Sequence, residues 1–352
     1  MLQVGIIGCG KIAQVRHLPE YAANPNVQIA GLYDINQERA KELAQQYGAV
    51  AYGSYEELLS DRRIDAVSIC SANLFHAEHT IRALEAGKHV LCEKPMATTL
   101  EDCEAMAAAA GKHGKFLMID QNQRLAAAHV KARELIQAGE IGRPLSFRTS
   151  FGHGGPETWT VDPGKTIWFF DKRRAAMGVL ADLGIHKTDL IQYLLGQTIV
   201  ETTAVLCTLD KKGADGKPID VDDNAICIYR MDGGAIGTMT ASWTHYAREE
   251  NATVIYGTLG EIRLYDDPAH SVVLLKTGKE PQTFDVDEIQ TNDHQTKSGV
   301  IDLFVKGVLN PDKRAMTGDS VLTAMRAVFA SIQSSETGKS VAIVNGREGS
   351  VI

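Results

Sequence analysis

The sequence predicts an α/β domain followed by an α+β domain built on an antiparallel sheet. With 352 residues, the chain is long enough for about two domains of ordinary size. Up to about Gln121, short apolar runs alternate with longer amphipathic stretches, which is typical of βαβ units with helices on both faces of a parallel sheet. Beyond that point, runs rich in β-branched residues follow one another with short turns between them. We therefore predict two domains, 1–122 and 123–352.

Five apolar runs predict the strands of the first domain. They read QVGIIG, VQIAGLYD, DAVSIC, KHVLCEK and KFLMID, and helix-like segments separate them. Ser54 and Glu57 form the S-x-x-E pattern of an N-terminal capping box, and Gly87 follows the helix-like stretch 80–86. These signals support helices between the strands, as a parallel sheet requires.

The second domain is predicted to open with a helix and to continue mainly with strands. The pattern predicts a helix over 126–138, a strand at LSFRTSF, a polar loop over 152–166 and a long helix over about 176–195. Runs such as NAICIYRM and ATVIYG, together with turn-like DGG and TLG segments, predict an antiparallel sheet. Two C-terminal helices, over about 295–309 and 319–334, complete the α+β domain.

Composition and charge exclude several classes of partner. The chain has 36 Lys and Arg against 44 Asp and Glu, a net charge of -8, so it offers no general attraction to nucleic acid or to an anionic membrane surface. No apolar run reaches the length of a membrane span and no signal-peptide pattern is present, so we expect a cytoplasmic protein. The six cysteines form no C-x-x-C pair and are expected to be buried free thiols.

A glycine-rich turn after the first strand predicts a dinucleotide site. Gly8, Gly10 and Ala13 form G-x-G-x-x-A where a strand passes into a helix. Gly8 allows the tight turn, Gly10 lets the backbone approach a pyrophosphate, and Ala13 allows the helix to pack closely, while the helix N-terminus offers unpaired N–H groups. The next strand ends in Asp34, about 20 residues on, where an acid holds the ribose hydroxyls. The cofactor residues expected here are Gly8, Gly10, Lys11, Ile12, Ala13 and Asp34.

Asp34 also predicts a preference for NAD over NADP. A carboxylate about 4 Å from the 2′-phosphate costs up to about 4 kcal/mol at an effective dielectric constant of about 20, or about a thousandfold in affinity. Arg39, on the following helix-like segment, is the residue that would instead favour NADP. The alternative interpretation of the whole motif is a structural glycine turn with a surface aspartate.

Two other strands end in polar residues, and open α/β sheets bind ligands at the carboxyl ends of their strands. Lys94 follows the strand KHVLCEK and is expected beside the nicotinamide, although an exposed lysine at a strand end is the common alternative. Pro95 restricts the backbone here, which suits a structural turn as well as a functional one. The residues after DAVSIC either contact the cofactor or cap and pack the next helix. The cofactor contacts expected at these strand ends are Ser71, Asn73, His76, Glu93 and Lys94.

A further polar cluster lies on the predicted helix of the second domain. Asp182 and His186 are four residues apart and share a helix face, which Asp189 continues. The apolar residues around them predict a largely buried helix, so these groups need partners or a ligand. They are interpreted either as satisfied polar residues of the core or as part of a site. A metal centre is not predicted, because no further ligand completes it.

In their order along the chain, these motifs resemble the glucose-fructose oxidoreductase and inositol dehydrogenase family, Gfo/Idh/MocA. The resemblance implies an N-terminal Rossmann domain and a C-terminal domain with a large open, mainly antiparallel sheet. It also implies homo-oligomers, dimers or tetramers, assembled through that sheet, and a catalytic set of Lys94, Asp182 and His186. The motifs that carry it are the G-x-G-x-x-A turn, Asp34, the Glu93-Lys94-Pro95 run, the D-x-G-x-H-x-x-D run from Asp182 to Asp189 and the C-terminal MTGDSVLTAMRAVFASIQSSETGKSV.

Two stretches depart from the family's pattern. Ala176-Met177-Gly178 stands where many relatives have consecutive glycines, so only Gly178 keeps that pattern. The run DQNQR over 120–124 replaces the more usual aromatic-Asn-Arg-Arg run, which makes Arg124 a weaker candidate for substrate binding. Both departures bear on the identity of the substrate more than on the chemistry.

The substrate is expected in the second domain. Its polar loop and the residues just after it combine hydrogen-bonding groups with flat apolar rings, which suits a hydroxylated ring; contacts within an oligomer are the alternative. The loop residues singled out are His153, Glu157, Trp159, Asp162, Lys165 and Trp168. The full set of substrate candidates is Lys94, Arg124, His153, Trp168, Asp182 and His186.

Together these features predict an NAD-dependent dehydrogenase that oxidises a secondary hydroxyl of a cyclitol, sugar or sugar derivative. Lys94 and His186 are expected in acid/base roles, with Asp182 orienting the substrate or tuning the two bases. An enzyme that keeps NAD bound and recycles it, as in sugar-to-sugar transfer or redox-type glycoside cleavage, is the alternative. A non-catalytic dinucleotide-binding regulator would not need Lys94 or His186, and both are present.

Overall fold

The first domain is a parallel sheet with helices packed on it. The computed structural model of the protein describes residues 1–164, 166–288 and 297–345. The strands of this domain are β1 (Leu2–Ile7), β2 (Val27–Tyr33), β3 (Val50–Ala51), β4 (Ala66–Ile69), β5 (His89–Cys92) and β6 (Leu117–Ile119). Its helices are α1 (Leu18–Ala23), α2 (Gln37–Tyr47), α3 (Tyr55–Ser60), α4 (His76–Glu85) and α5 (Leu100–His113). The strands lie in the order β3-β2-β1-β4-β5-β6, which is the Rossmann order and confirms the predicted fold.

Alternating side chains of β1 explain why this sheet is covered on both faces. Val4 and Ile6 pack into one hydrophobic cluster with Leu18, whereas Ile7 packs into another with Ile69. Successive residues of a strand point to opposite faces, so an apolar run with no alternation has to be buried on both.

The helix α3 begins at its predicted cap, although only part of the capping box forms. Ser54 Oγ accepts a hydrogen bond from the backbone N–H of Glu57 at 3.2 Å. The Glu57 carboxylate, however, accepts from the N–H of Gly53 rather than from that of Ser54. The first bond satisfies a donor that the helix itself leaves unpaired at its start, and the second holds the residue before the cap against the same turn.

The second domain is built on a nine-stranded sheet. The domain begins with α6 (Ala127–Gln137), β7 (Pro144–Gly152), α7 (Lys172–Ala175) and α8 (Ile185–Leu195). The remaining strands follow α8. These are β8 (Ile199–Cys207), β9 (Asn224–Met231), β10 (Ile236–Ser242), β11 (Thr253–Gly257), β12 (Gly260–Leu264), β13 (Val272–Lys276), β14 (Gln282–Phe284) and β15 (Val341–Ala342). The strands lie in the order β14-β13-β12-β11-β7-β10-β9-β8-β15. Only β7 and β10 pair in parallel among these described strands, so the mainly antiparallel sheet is confirmed.

The predicted helix over 176–195 begins later than expected and with a different geometry. A π-helical turn over Leu180–Gly184 leads into α8. Before it, Ala176 has φ 63° and ψ -39°, which no helix contains. The carboxylate of Asp222 accepts hydrogen bonds from the N–H groups of Gly178 and Leu180, both at 2.8 Å. This carboxylate from a distant loop fixes where the helix starts, and the local sequence pattern contains no sign of it.

The C-terminal helices connect the two domains. They are α9 (Val300–Leu309) and α10 (Gly318–Thr337), and the first residues of the helix predicted over 295–309 lie outside the described part of the chain. Phe304 of α9 stacks on Phe116 of the first domain with ring centroids 5.7 Å apart. Val300 and Val305 belong to the same buried cluster as β1. The end of the chain therefore completes the core of the first domain, so 123–352 does not fold only upon itself.

Two simpler expectations can be compared with the structure directly. Within the three described ranges, no helix has both the length and the apolar character needed to cross a bilayer. All six cysteines are free, five of them buried, and Cys207 is half-buried. The prediction of buried free thiols is confirmed for those five.

The backbone around Ala176 provides a stability test. A positive φ costs a residue with a Cβ about 1–3 kcal/mol, whereas glycine adopts it freely, so Ala176→Gly should raise the free energy of unfolding by about 1 kcal/mol. Gly178→Ala should lower the unfolding temperature, because the added Cβ would lie 1.9 Å from the backbone oxygen of Asp222. Thermal unfolding of both variants measures these shifts.

A matched control is Gly111→Ala in α5, where an added Cβ meets no atom within 4 Å. This variant should unfold at or slightly above the temperature of the parent, since alanine favours a helix interior. A Gly178→Ala protein as stable as the Gly111→Ala protein would contradict the packing described for this segment.

Candidate active site

A cavity of about 790 Å3 lies where the carboxyl ends of the first sheet meet the second domain. Residues of both domains line it, including most of those predicted from the sequence. Ala13 is fully buried behind the glycine turn, and neither it nor Arg124 belongs to the lining. The predicted site residues that line the cavity are Gly8, Gly10, Lys11, Ile12, Asp34, Ser71, Asn73, His76, Glu93, Lys94, His153, Trp168, Asp182 and His186.

The glycine turn has the geometry that a dinucleotide cradle requires. Gly8 has φ 97°, and a Cβ there would lie 2.6 Å from the backbone of Cys70. A Cβ on Gly10 would meet nothing within 4 Å, because this residue faces the open cavity. Asp34 Oδ2 accepts from the N–H of Cys9 at 2.6 Å, which ties the turn to the end of β2. The residues present therefore fit a dinucleotide, with its pyrophosphate over Gly10 and its ribose beside Asp34.

Arg39, the residue considered for NADP binding, is engaged by two carboxylates. Its guanidinium lies 2.6 Å from Asp162 Oδ2 and 3.9 Å from Asp34 Oδ1. Asp162 comes from the polar loop of the second domain, so this ion pair crosses the opening of the cavity. The positive charge of Arg39 is thereby compensated within the protein.

The residues after β4 make structural contacts at the edge of the cavity. Asn73 Nδ2 donates to the carbonyl of Ala175 in the second domain at 3.2 Å, and no side-chain cap is formed at the short helix that begins at Asn73. His76 lies between the carbonyl oxygens of Pro95 and Ser71, at 2.8 and 3.0 Å. Burial lowers the pKa of His76, and a neutral imidazole donates to only one of these oxygens. The two strand ends are thus held together by His76.

Lys94 and Asp182 form the contact at the centre of the cavity. Lys94 Nζ donates to Asp182 Oδ1 at 2.8 Å and to the Asp182 carbonyl at 2.9 Å. Trp243 Nε1 donates to the other carboxylate oxygen at 3.0 Å. Burial acts to raise the pKa of Asp182, but the charges of Lys94 and His153 and the hydrogen bonds from Lys94 and Trp243 together outweigh it, so the net shift of this pKa is downward. The carboxylate is therefore ionised and fixed in place by two donors.

His186 completes this group from α8. Burial, reinforced by the Lys94 charge, places the pKa of His186 well below its usual value, so the imidazole is neutral at physiological pH. Its Nδ1 atom has no hydrogen-bond partner among the described residues. His153 lies on the other side of Phe151, and its Nδ1 accepts from the N–H of Gly155 at 2.9 Å. The structure thus gathers Lys94, Asp182 and His186 from both domains at one place.

Arg124 is placed away from the substrate cavity. Its guanidinium binds the carboxylate of Asp189 through two hydrogen bonds of 2.6 and 2.5 Å. From the sequence, Arg124 was a weaker candidate for substrate binding, and Asp189 was expected to continue the polar face of His186. Instead the two side chains satisfy each other, since a planar guanidinium and a carboxylate match in geometry.

Some residues singled out in and just after the polar loop line the cavity, and others make structural contacts. Trp159, Asp162 and Trp168 line the cavity, and Trp168 stacks on Phe169 with centroids 3.9 Å apart. Glu157 does not line it, because its carboxylate pairs with Lys211 at 2.5 Å. Lys165 lies outside the described residues.

A buried ionic network lies beneath the turn that carries Lys94. His17 Nε2 lies 3.0 Å from Glu93 Oε1, and Arg16 Nη1 lies 3.2 Å from Asp120 Oδ2. Burial, together with the charge of Glu93, raises the pKa of Asp120 to about 7. Three of these residues, His17, Glu93 and Asp120, have ligand atoms close enough to hold a metal, and within the described chain they form the one such group. The guanidinium of Arg16 already compensates these carboxylates, so we interpret the group as an ion-pair network.

Sequence reasoning missed one wall of the cavity. It is formed by Asn122, Gln123, His129, Phe151 and Asn251. One signal was available for His129: it shares the buried face of α6 with Ala128, Ala132 and Ile136, where an unexplained polar residue is unusual. Asn251 lies in a loop before β11 and carries no pattern that would reveal it.

This geometry is that of a two-domain protein in which a glycine turn of the dinucleotide-binding type faces a cavity lined by both domains. Residues 2–121 match the family model GFO_IDH_MocA, described as an oxidoreductase family with an NAD-binding Rossmann fold. Residues 129–263 match the GFO/IDH/MocA C-terminal domain. The chain belongs to the Gfo/Idh/MocA family of oxidoreductases, which confirms the resemblance seen in its motifs.

Similar proteins cover most of the chain. A levoglucosan dehydrogenase of Pseudarthrobacter phenanthrenivorans is 33% identical over 289 residues, which is 74% of this chain and 73% of that one. A myo-inositol 2-dehydrogenase of Thermotoga maritima is 25% identical over 343 residues, 97% of this chain and 98% of that one. The solved structure of a levoglucosan dehydrogenase in complex with NADH and L-sorbose has a TM-score of 0.85 and 25% identity, and covers 98% of this chain and 99% of its own.

Proposed function

We propose that the protein oxidises a secondary hydroxyl group of a cyclitol, sugar or sugar derivative, with NAD as its cofactor. The observation that carries the proposal is the contact of Lys94 with Asp182 beside His186, in the same cavity as the glycine turn. The names of the relatives support the substrate class, since they include dehydrogenases of levoglucosan, D-glucosides and myo-inositol.

The side chains divide the chemistry of this oxidation between them. NAD, when bound, supplies the nicotinamide carbon to which the carbinol C–H transfers its hydride. The hydroxyl group must lose its proton in the same reaction, and the neutral imidazole of His186 has a lone pair with which to accept it. Lys94 donates a hydrogen bond to the hydroxyl oxygen and stabilises the charge that develops there. Asp182 holds Lys94 in position, as its two contacts with Nζ already do.

Removing either the hydrogen-bond donor Lys94 or the base His186 should lower turnover and leave cofactor binding intact. General acid/base catalysis contributes about 10²–10⁴-fold, so Lys94→Ala and His186→Ala should each lower kcat by about that factor. NADH should bind both variants within about threefold of the parent, because Asp34 and the glycine turn are unchanged. Steady-state kinetics and NADH fluorescence titration measure the two quantities.

Lys112→Ala, a substitution on the exposed side of α5, is the control for the loss of a lysine charge. A kcat of the Lys94→Ala variant within tenfold of this control would contradict the proposed role.

NADH formation across inositols, aldoses, glycosides and uronic acids identifies the substrate. Cofactor that stays bound and is reoxidised by an added sugar would instead favour the enzyme that recycles NAD.

We also propose that the enzyme prefers NAD over NADP. Asp34 lines the cavity at the end of β2 and places a negative charge where NADP carries its 2′-phosphate. Arg39 faces Asp34 and Asp162, and its guanidinium would have to leave these carboxylates to bind a 2′-phosphate.

Asp34→Asn should weaken this preference. The substitution removes the charge but keeps an oxygen that accepts from the Cys9 N–H, so kcat/KM with NADP should rise at least tenfold relative to that with NAD. The control is Glu38→Gln, which removes a charge from a side chain that is 79% exposed at the same end of α2. Equal use of both cofactors by the unmodified enzyme would contradict the proposal.

We propose further that the chain forms homo-oligomers through the open face of the second sheet. Val205 and Ile226 are direct neighbours across β8 and β9, and Ile228 follows on the same face. Their exposed fractions are 62%, 55% and 53%, and Ile236 on β10 is 53% exposed as well. A contiguous aliphatic surface of this kind favours burial against a second copy.

Charges introduced into this face should therefore dissociate the oligomer. Ile226→Lys combined with Ile228→Lys places two ammonium groups in the proposed contact, and the mass in solution should fall to that of one chain. Light scattering after size-exclusion chromatography measures the mass. Leu309→Lys, at a residue of α9 that is 58% exposed, is the control and should leave the oligomer intact. A monomeric parent protein would refute this part of the proposal.

We place the enzyme in the cytoplasm. Its six cysteines are all free, which is typical of proteins in a reducing compartment.

A further inference from the structure

One corner of the cavity contains buried polar atoms that the proposed chemistry does not use. It is formed by Gln123, His129 and Asn251, which we call the Gln123 corner. His129 is 1% exposed, Asn251 is 6% exposed and Gln123 is 8% exposed. None of these residues belongs to the catalytic group or to the glycine turn, yet all three face the space available to a ligand.

The hydrogen bonds of His129 determine which of its nitrogen atoms is free. Nδ1 lies 2.6 Å from the backbone carbonyl of Gln123, which only accepts, so Nδ1 carries the proton. Burial and the nearby charge of Lys187 lower the pKa of His129 to about 3, so the ring carries no second proton. Nε2 is therefore a hydrogen-bond acceptor, and no described residue donates to it.

The side chain of Gln123 presents a second acceptor. Its Nε2 donates to Asn251 Oδ1 at 3.3 Å, which leaves Oε1 free. Within the described chain, Gln123 Oε1 is buried and has no donor. Two buried acceptors with no donor among the described residues thus belong to side chains that line one wall of the cavity.

The nearest cation does not supply the missing donors. Lys187 is fully buried behind this wall and is not part of the cavity lining. Its Nζ donates to the Asn251 carbonyl at 3.1 Å and to Thr253 Oγ1 at 3.4 Å. A buried acceptor without a donor is costly to a fold, so such atoms persist where a ligand or ordered water satisfies them.

We propose that His129 and Gln123 form a subsite for two hydroxyl groups of the substrate other than the one that is oxidised. The proposal rests on the function proposed above and specifies the substrate further. Hydroxyl groups can donate to both acceptors, whereas a phosphate or carboxylate has no proton to offer at neutral pH and would be repelled by them. The substrate therefore presents a neutral, hydroxylated edge to this corner. The enzyme selects an unphosphorylated polyol or sugar over a sugar phosphate or a uronic acid bound in the same orientation.

The first test removes the acceptors one at a time. His129→Leu and Gln123→Met keep the approximate volume of the side chain, and each should raise KM for the best neutral polyol about tenfold, the usual effect of one lost hydrogen bond. The effect on kcat should be smaller, and NADH should bind as tightly as before. His129→Gln places an amide oxygen near the position of Nε2 and should recover part of the loss. Val130→Ala, at the next residue of α6, is the matched control.

The second test removes the donors from the substrate. Deoxyfluoro analogues of that polyol replace one hydroxyl group at a time with fluorine, which accepts but does not donate a hydrogen bond. Two positions should each cost the parent enzyme about tenfold in kcat/KM. At one of these positions, His129→Leu should show no further loss, because the partner atom is already absent.

Calorimetric titration of the NADH-bound protein with the same polyols separates the two proposals. Turnover that is unaffected by His129→Leu and Gln123→Met would overturn the subsite and leave the dehydrogenase function standing. Binding that depends on both residues without turnover would support the subsite and count against the function. Absence of binding by every neutral polyol, or a sugar phosphate that is preferred and depends on His129, would overturn the subsite.

Discussion

The contact between Lys94 and Asp182 is the constraint on which the site depends. Lys94 stands at the carboxyl end of β5 in the first domain, and Asp182 lies in the π-helical turn before α8 in the second. Their two hydrogen bonds of 2.8 and 2.9 Å fix the distance between the domains at the centre of the cavity. Because burial would otherwise favour the protonated form of Asp182, the ammonium of Lys94 is also the largest single contribution that keeps this carboxylate charged. Position and charge at the site are therefore set by the same interaction.

Carboxylates organise the backbone on both sides of that contact. Asp34 accepts from the N–H groups of Cys9 and Asn36, and Asp222 accepts from those of Gly178 and Leu180. In each case an acidic side chain fixes a turn that carries part of the site. Some of the acidic residues in this negatively charged chain, such as Asp34 and Asp222, therefore stabilise turns and do not contribute to a charged surface.

Sequence patterns predicted those features of the fold that depend on short stretches of chain. The apolar runs predicted the strands, the glycine turn predicted the cradle at Gly8, and the position of Lys94 after a strand placed it at the cavity. Alternation and spacing are local properties, so one sequence is enough to detect them.

Features that depend on distant partners were not predictable in the same way. The late start of the helix before α8 depends on Asp222, and the pairing of Arg124 with Asp189 depends on how two helices pack. Neither partner is near in sequence, so no window of the chain reveals the contact. His129 was overlooked for a different reason: its helix has the pattern of an ordinary amphipathic segment, and only the structure shows that His129 lines the cavity.

The packing of α9 has a consequence for how the protein is made. Phe304 and its neighbours fill the space against Phe116 and β1, although about 180 residues separate them from the last strand of that sheet. When only the first domain has emerged from the ribosome, part of one hydrophobic face of its sheet is still exposed to solvent. The first domain thus reaches its final packing only after residues 300–309 have been translated.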